Sequence, residues 1–245
     1  MAYTARVDPA TGGLKSRARI SGSKLSVNLR ANASKMLIEG PGQLQLEDFQ
    51  APDPSPAANR QRGDLFGSVG DSGPSKTLIE WKGRMWYDFS IDQIRFEDGV
   101  NLKHFSGAEL QRIFGGAEEA GDAPPGRRTF LNCDVLTVDF LERNAQVRRP
   151  STQRMGRLST ERLRRFRATG NVILQDKVER LWISADDLTY ERDRMILAIV
   201  GTKRHKARIV KREEGKLPTQ ISVERLFYNL KTGQPELRGA DIKGG

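Results

Sequence analysis

Ile79-Glu-Trp-Lys-Gly-Arg-Met-Trp-Tyr-Asp-Phe89 places Ile79, Trp81, Gly83, Met85, Tyr87 and Phe89 at alternate positions, with Glu80, Lys82, Arg84 and Asp88 between them. Successive side chains leave a pleated strand on opposite faces, so this spacing predicts a strand with one buried face and one wet face. The pattern recurs on both sides. Ile94, Phe96, Asp98, Val100, Leu102 and His104 alternate with Arg95, Glu97, Asn101 and Lys103. Met36, Ile38, Gly40, Gly42, Leu44 and Leu46 alternate with Glu39, Gln43, Gln45 and Glu47. Helical spacing is confined to Leu158–Phe166, where Ser159 or Thr160 would cap a short basic helix. The fold class expected is all-β.

The chain has 245 residues, enough for a substantial core. Its apolar share, 37%, is lean but above the range of disordered chains. The longest apolar run, Met195–Val200, is far short of the roughly 20 residues of a membrane-spanning helix. One cysteine, Cys133, excludes an internal disulfide and cannot by itself build a zinc cage. The first residues show no basic start followed by an apolar run, so no signal peptide is expected within this chain. Residues 51–76 and 115–128, rich in Pro, Gly, Ser and Asp, read as mobile loops that bury too little apolar surface to offset their ordering entropy. A formal charge of +10 suggests an anionic partner, and positive charge is densest between Arg143 and Arg165.

An octet repeats along the chain. Ile183-Ser-Ala-Asp-Asp-Leu-Thr-Tyr190 and Ile221-Ser-Val-Glu-Arg-Leu-Phe-Tyr228 share four identities 38 residues apart, and Gly201 and Gly239 keep the same spacing. Further copies are Ile20–Val27 and Leu131–Val138, with a fainter one at Glu80–Tyr87 that keeps only Met85-x-Tyr87. Each unit reads as a strand, a turn and a second strand with glycine where the chain bends. No such unit can bury its apolar face alone, so neighbours must stack, as in a sandwich or solenoid. An ordinary β-sandwich with coincidental echoes is the plainer alternative.

Ala168-Thr-Gly-Asn-Val-Ile-Leu174, followed by Ile183–Tyr190 and then Gly201, resembles the unit of the OstA-like (LptA-like) family of lipopolysaccharide-transport bridge proteins. A looser unit covers Ile221–Ile242, and Gly99–Leu102 and Leu131–Val138 resemble diverged copies. The resemblance implies a V-shaped β-jellyroll or "β-taco" of stacked antiparallel strand pairs, apolar inside, stacking end to end and carrying acyl chains across the periplasm. It divides the chain into a diverged β-stack at 14–142, an Arg-rich insertion at 143–165 and repeat units at 166–245. An octet already present at Ile20 suggests part of a longer array.

Catalysis has little support. His104 and His205 lack a neighbouring His, Cys or carboxylate at metal-ligand spacing, and no nucleophile elbow, Walker loop or dinucleotide fingerprint occurs. Asp186 and Asp187, adjacent on an extended chain, face opposite ways, and Cys133 reads as a small core residue. No enzyme, metal or cofactor is expected. The acyl-chain groove that the resemblance implies would be lined by Ile183, Leu188, Tyr190, Ile199, Ile221, Leu226, Tyr228 and Leu237, with a dry core as the competing reading. Arg148, Arg149, Arg154, Arg157, Arg164 and Arg165 are candidates for anionic head groups, because the guanidinium fork matches phosphate, although a solvated loop is the simpler assignment. The partners expected are lipopolysaccharide or another anionic lipid, and edge-to-edge pairing with a second copy or another envelope-transport protein. A scaffold that recruits a partner through strand edges or the basic loop is the alternative. Nucleic acid is disfavoured, since only Phe166 flanks the arginines and no base-stacking platform is available. The compartment implied is the periplasm, with the cytoplasm as the alternative.

Overall fold

The computed structural model describes residues 2–7, 12–28, 34–49, 74–106, 127–140 and 163–243, and these form strands and turns with no helix. The strands are β1 (Ala2–Val7), β2 (Leu14–Asn28), β3 (Lys35–Asp48), β4 (Ser75–Trp81), β5 (Arg84–Asp88), β6 (Gln93–Ser106), β7 (Arg127–Phe140) and β8 (Leu163–Asp176). They continue as β9 (Leu181–Glu191), β10 (Ile196–Val200), β11 (Ala207–Lys211), β12 (Thr219–Val223), β13 (Arg225–Asn229), β14 (Gln234–Arg238) and β15 (Asp241–Lys243). The expected helix at Leu158–Phe166 is corrected over its second half. Residues 163–166 open β8, where Phe166 pairs with Val138 on one side and Tyr190 on the other, so cross-strand pairing and burial override the local spacing. Residues 158–162, most of the 51–76 and 115–128 stretches, and Arg143–Glu161 lie outside the described residues.

All fifteen strands belong to one antiparallel sheet, and neighbours in sequence are neighbours in space. Several strands are halves of a longer one. β4 and β5 lie end to end along β3, interrupted at Lys82-Gly83. β10 and β11 do the same along β9, β13 and β12 along β10 and β11, and β14 and β15 along β13 and β12. β7 pairs with β8 across the Arg-rich insertion, so the sheet continues through it.

The interruptions line up as a crease. Register shifts fall between Gly22 and Lys24, Glu97 and Val100, Asn132 and Val135, and Thr169 and Val172. Positive φ occurs at Gly40, Asp98, Gly99, Gly170, Asn171 and Gly239 on the same line. Every octet straddles it. In Leu131–Val138, Leu131 and Cys133 are buried before the crease and Leu136 and Val138 after it. Ile183 and Ala185, then Leu188 and Tyr190, follow the same rule. The shift of parity keeps both halves of each octet apolar on one face, as bulges do where a sheet bends. The fainter octet differs because Trp81, its second residue, is the inward one.

Ala168, Val172, Ile183, Leu188, Leu197 and Ile199 are all 0% exposed, yet among the described residues no second sheet and no helix lies over them. The register shifts at the crease bend the sheet there. Residues from both halves accordingly share one hydrophobic cluster. Trp81 at the end of β4 meets Phe96, which pairs with Met85 of the other half, with ring centroids 5.2 Å apart. Its Nε1 donates to the Gly40 carbonyl at 3.1 Å and anchors the indole over the crease.

Candidate functional site

Cross-strand register places all eight groove candidates on the buried face. Leu188, Ile199, Leu226 and Leu237 stand opposite one another on β9, β10, β13 and β14. Tyr190, Leu197 and Tyr228 form the next row toward the strand ends, and the Tyr190 ring packs on Phe166 at 5.6 Å. On the other half, Ile183, Ile209, Ile221 and Ile242 make a third row. Ile183, Leu188, Tyr190, Ile199 and Leu226 are buried, whereas Ile221, Tyr228 and Leu237 are partly buried and pack against the cluster. The third row runs from 0% exposure at Ile183 to 63% at Ile242, so the interior opens toward the last strands.

The other end also opens. β1 pairs only with Leu14–Ile20 of β2, and among the described residues no strand covers the outer side of residues 22–28. Leu25 and Val27 face the same way as their partners Ile38 and Met36, which are 1% exposed, but are themselves 44% and 50% exposed. Among the described residues the result is an apolar band closed in the middle and uncovered at both ends.

Along one rim of the inner face the chemistry turns polar. Thr77, His104, Thr129 and Asp176 stand side by side on β4, β6, β7 and β8. The Thr77 hydroxyl and His104 Nδ1 are 2.8 Å apart, and the Thr129 hydroxyl donates to Asp176 Oδ2 at 3.2 Å. Asp176 Oδ1 accepts the backbone N–H groups of Val178 and Glu179, each at 3.0 Å, which fixes the β8–β9 turn. This polar row was not picked out from the sequence, because its four members come from four distant segments. Only His104 carried a signal.

The outer face carries ion pairs: Lys24–Glu39 at 2.7 Å, Lys103–Glu80 at 3.0 Å, Arg167–Asp187 at 2.5 Å, and Arg84 and Arg95 on Glu97. Burial pushes the Glu97 carboxyl up, but hydrogen bonds and charge from the two arginines outweigh it and hold the carboxyl below its ordinary value. Of the head-group candidates, Arg164 reaches Asp193 at 3.1 Å and Arg165 reaches Glu191 at 3.9 Å. Arg148, Arg149, Arg154 and Arg157 lie outside the described residues. His205 is exposed, and its backbone N–H donates to the Thr202 hydroxyl at 2.9 Å. Cys133 is buried, and desolvation, helped by the charge of Asp134, pushes its thiol up to about 12. Among the described residues no group of three His, Cys, Asp or Glu side chains has the arrangement to hold a metal, and no helix is long and apolar enough to cross a membrane.

Neither a protein-family model nor a curated protein matches this sequence. The class that can be stated is therefore structural: an all-β chain whose single antiparallel sheet buries one face.

Proposed function

We propose that this is a non-enzymatic envelope protein that binds lipid acyl chains along the apolar inner face of a V-shaped β-jellyroll, in the manner of the lipopolysaccharide-transport bridge family it resembles. The observation that carries the reading is an apolar face continuous across the strands and uncovered at both ends, at Leu25 and Val27 and again at Ile242. Burial contributes roughly 0.8 kcal/mol per methylene, so a dozen carbons supply on the order of 10 kcal/mol. A surface ion pair adds about 1 kcal/mol at most, so the groove would set affinity and charged groups orientation. The rim of Thr77, His104, Thr129 and Asp176 suits the polar end of such a ligand. Residues 22–28 of β2 and the last strands offer edges for a second copy or another envelope component. The compartment proposed is the periplasm.

The test is lipid extraction from the purified chain, followed by uptake of labelled lipopolysaccharide. Bound lipid is expected, with uptake reduced by Leu237→Asp at the open end. A lipid-free protein that takes up nothing refutes the reading. The complete burial of Ile183, Leu188 and Ile199 favours a second reading, a dry-cored scaffold that recruits a protein through its edges. In that case saturating acyl ligand leaves the melting temperature unchanged.

A further inference from the structure

At the strand ends, Gln175, Lys177, Arg180, Trp182, Val210 and Arg212 line an open cavity of about 550 Å³, which Asp176 and Leu181 of the inner face also touch. Trp182 stands opposite Gln175 and Val210, on the face opposite the buried Leu181 and Ile183. The Arg212 N–H donates to the Arg180 carbonyl at 3.1 Å and ties the β8–β9 turn to the segment after β11. The charges do not cancel. Arg180 shares Glu214 at 3.4 Å and Lys216 shares Glu213 at 2.7 Å. Lys177 and Arg212 have no carboxylate partner among the described residues, and the exposed cations of this corner, Lys177, Arg180, Lys211, Arg212 and Lys216, outnumber its exposed acids, Glu179, Glu213 and Glu214. Val178, which follows Lys177 in the chain, is 47% exposed, and Leu217, between β11 and β12, is 70% exposed. Exposed aliphatic tips, a half-buried tryptophan and unpaired cations are the side chains that seat a protein at the water–lipid boundary of an anionic bilayer.

We propose that this corner docks the protein on an anionic bilayer surface, with a lipid phosphate held between Lys177, Arg180 and Arg212 and with Val178 and Leu217 dipping among the head groups. The proposal rests on Lys177, Arg180, Arg212, Val178 and Leu217, none of which lines the apolar inner face, and so stands apart from the acyl-chain reading. It is tested by co-sedimentation of the full chain with vesicles of phosphatidylcholine alone and of phosphatidylcholine containing phosphatidylglycerol. Retention is expected on the anionic vesicles only, falling as salt rises. K177Q/R212Q should weaken it roughly 30-fold, about fivefold for each cation near the surface, and Leu217→Ser roughly tenfold. Both variants change exposed side chains, so the circular dichroism spectrum and inner-face lipid uptake should be retained. Equal retention on neutral vesicles overturns the proposal, as does undiminished retention of K177Q/R212Q. Binding of soluble glycerol phosphate without vesicle retention also overturns it, leaving a free-phosphate site.

Discussion

Gly170→Ala tests the crease directly. Gly170 has φ +73°, and a Cβ there would lie 2.3 Å from Asp134 Oδ2 and 2.9 Å from Asp134 Cβ and Cγ. Placing an L-residue in the left-handed region costs about 1–2 kcal/mol. Asp134 must also move, and its carboxylate accepts the Asn171 side-chain amide at 2.9 Å, a bond worth about 1 kcal/mol net. The expected loss is therefore about 2–3 kcal/mol. At about 2–4 °C per kcal/mol for a chain of this size, the melting point should fall by roughly 4–12 °C. Urea denaturation of Gly170→Ala beside Gly215→Ala separates strain from clash. Gly215 has φ +70° with no atom within 4 Å of the added carbon, so that change costs at most the conformational part. Adding Asp134→Ala to Gly170→Ala removes the Oδ2 and Cγ contacts but keeps the Cβ at 2.9 Å, so it should recover part of the clash and show as coupling in a double-mutant cycle. If Gly170→Ala costs no more than Gly215→Ala, the crease tolerates a side chain and its glycine is incidental.

Two further outcomes follow from buried or paired groups. With its thiol pushed up to about 12, Cys133 should resist a thiol reagent at pH 8 in the native chain and react stoichiometrically in denaturant; rapid native labelling would place it outside the core. For Glu97 and Asp88, burial alone raises the carboxyl, but Arg84 and Arg95 in one case, and Ser90 and Lys35 in the other, hold the net value below normal. A lowered folded-state value adds stability that is present above the unfolded value, near 4–4.5, and disappears as pH falls through the folded one. The urea midpoint should hold above about pH 5 and decline below about pH 4. Glu97→Gln should flatten that decline, and an identical acid profile for the variant would remove Glu97 from the account.

Alternation made the strands legible. Met36, Ile38, Leu44 and Leu46, and the odd positions from Ile79 to Phe89 other than Gly83, are buried as their spacing requires. Within each half of an octet the groove candidates were legible for the same reason, and across the crease, where the period breaks, it was the repeated octet that marked Leu188, Tyr190, Leu226 and Tyr228. Misreadings arose where local pattern and distant pairing disagree. The basic run ending at Phe166 has helical spacing on its own, but Val138 and Tyr190 supply partners that only the folded chain brings near. The polar rim was illegible because Thr77, His104, Thr129 and Asp176 carry no common motif. The outward corner hid in the same way, since Lys177, Trp182 and Arg212 share only a place at the strand ends.

The octet has a physical reason that alternation alone does not supply. A flat strand with buried positions 1 and 3 would bury 5 and 7 next, but the octet buries 6 and 8, as in Cys133 followed by Leu136 and Ala185 followed by Leu188. That step of three at the crease turns the chain while returning the same face inward. The neighbouring strand makes the same bend by another device. Octets lie on β2, on β4 with β5, on β7, on β9 and on β12 with β13, and a glycine at the crease marks β3, β6, β8 and the segments after β10 and β14. Gly40 faces Ser23, Gly99 faces Lys82, Gly170 faces Asp134 and Gly239 faces Glu224, each beside the crease residue of the octet strand before it. The structural unit is thus a pair of strands: the octet strand crosses the crease by a step of three between buried positions, and its partner takes one residue more, with a glycine against which the octet strand's crease residue packs. Such a pair has an apolar inner face and two open sides. Stacking covers the sides of every pair except the first and the last, and this leaves Leu25 and Val27 at one end of the sheet and Ile242 at the other in contact with water.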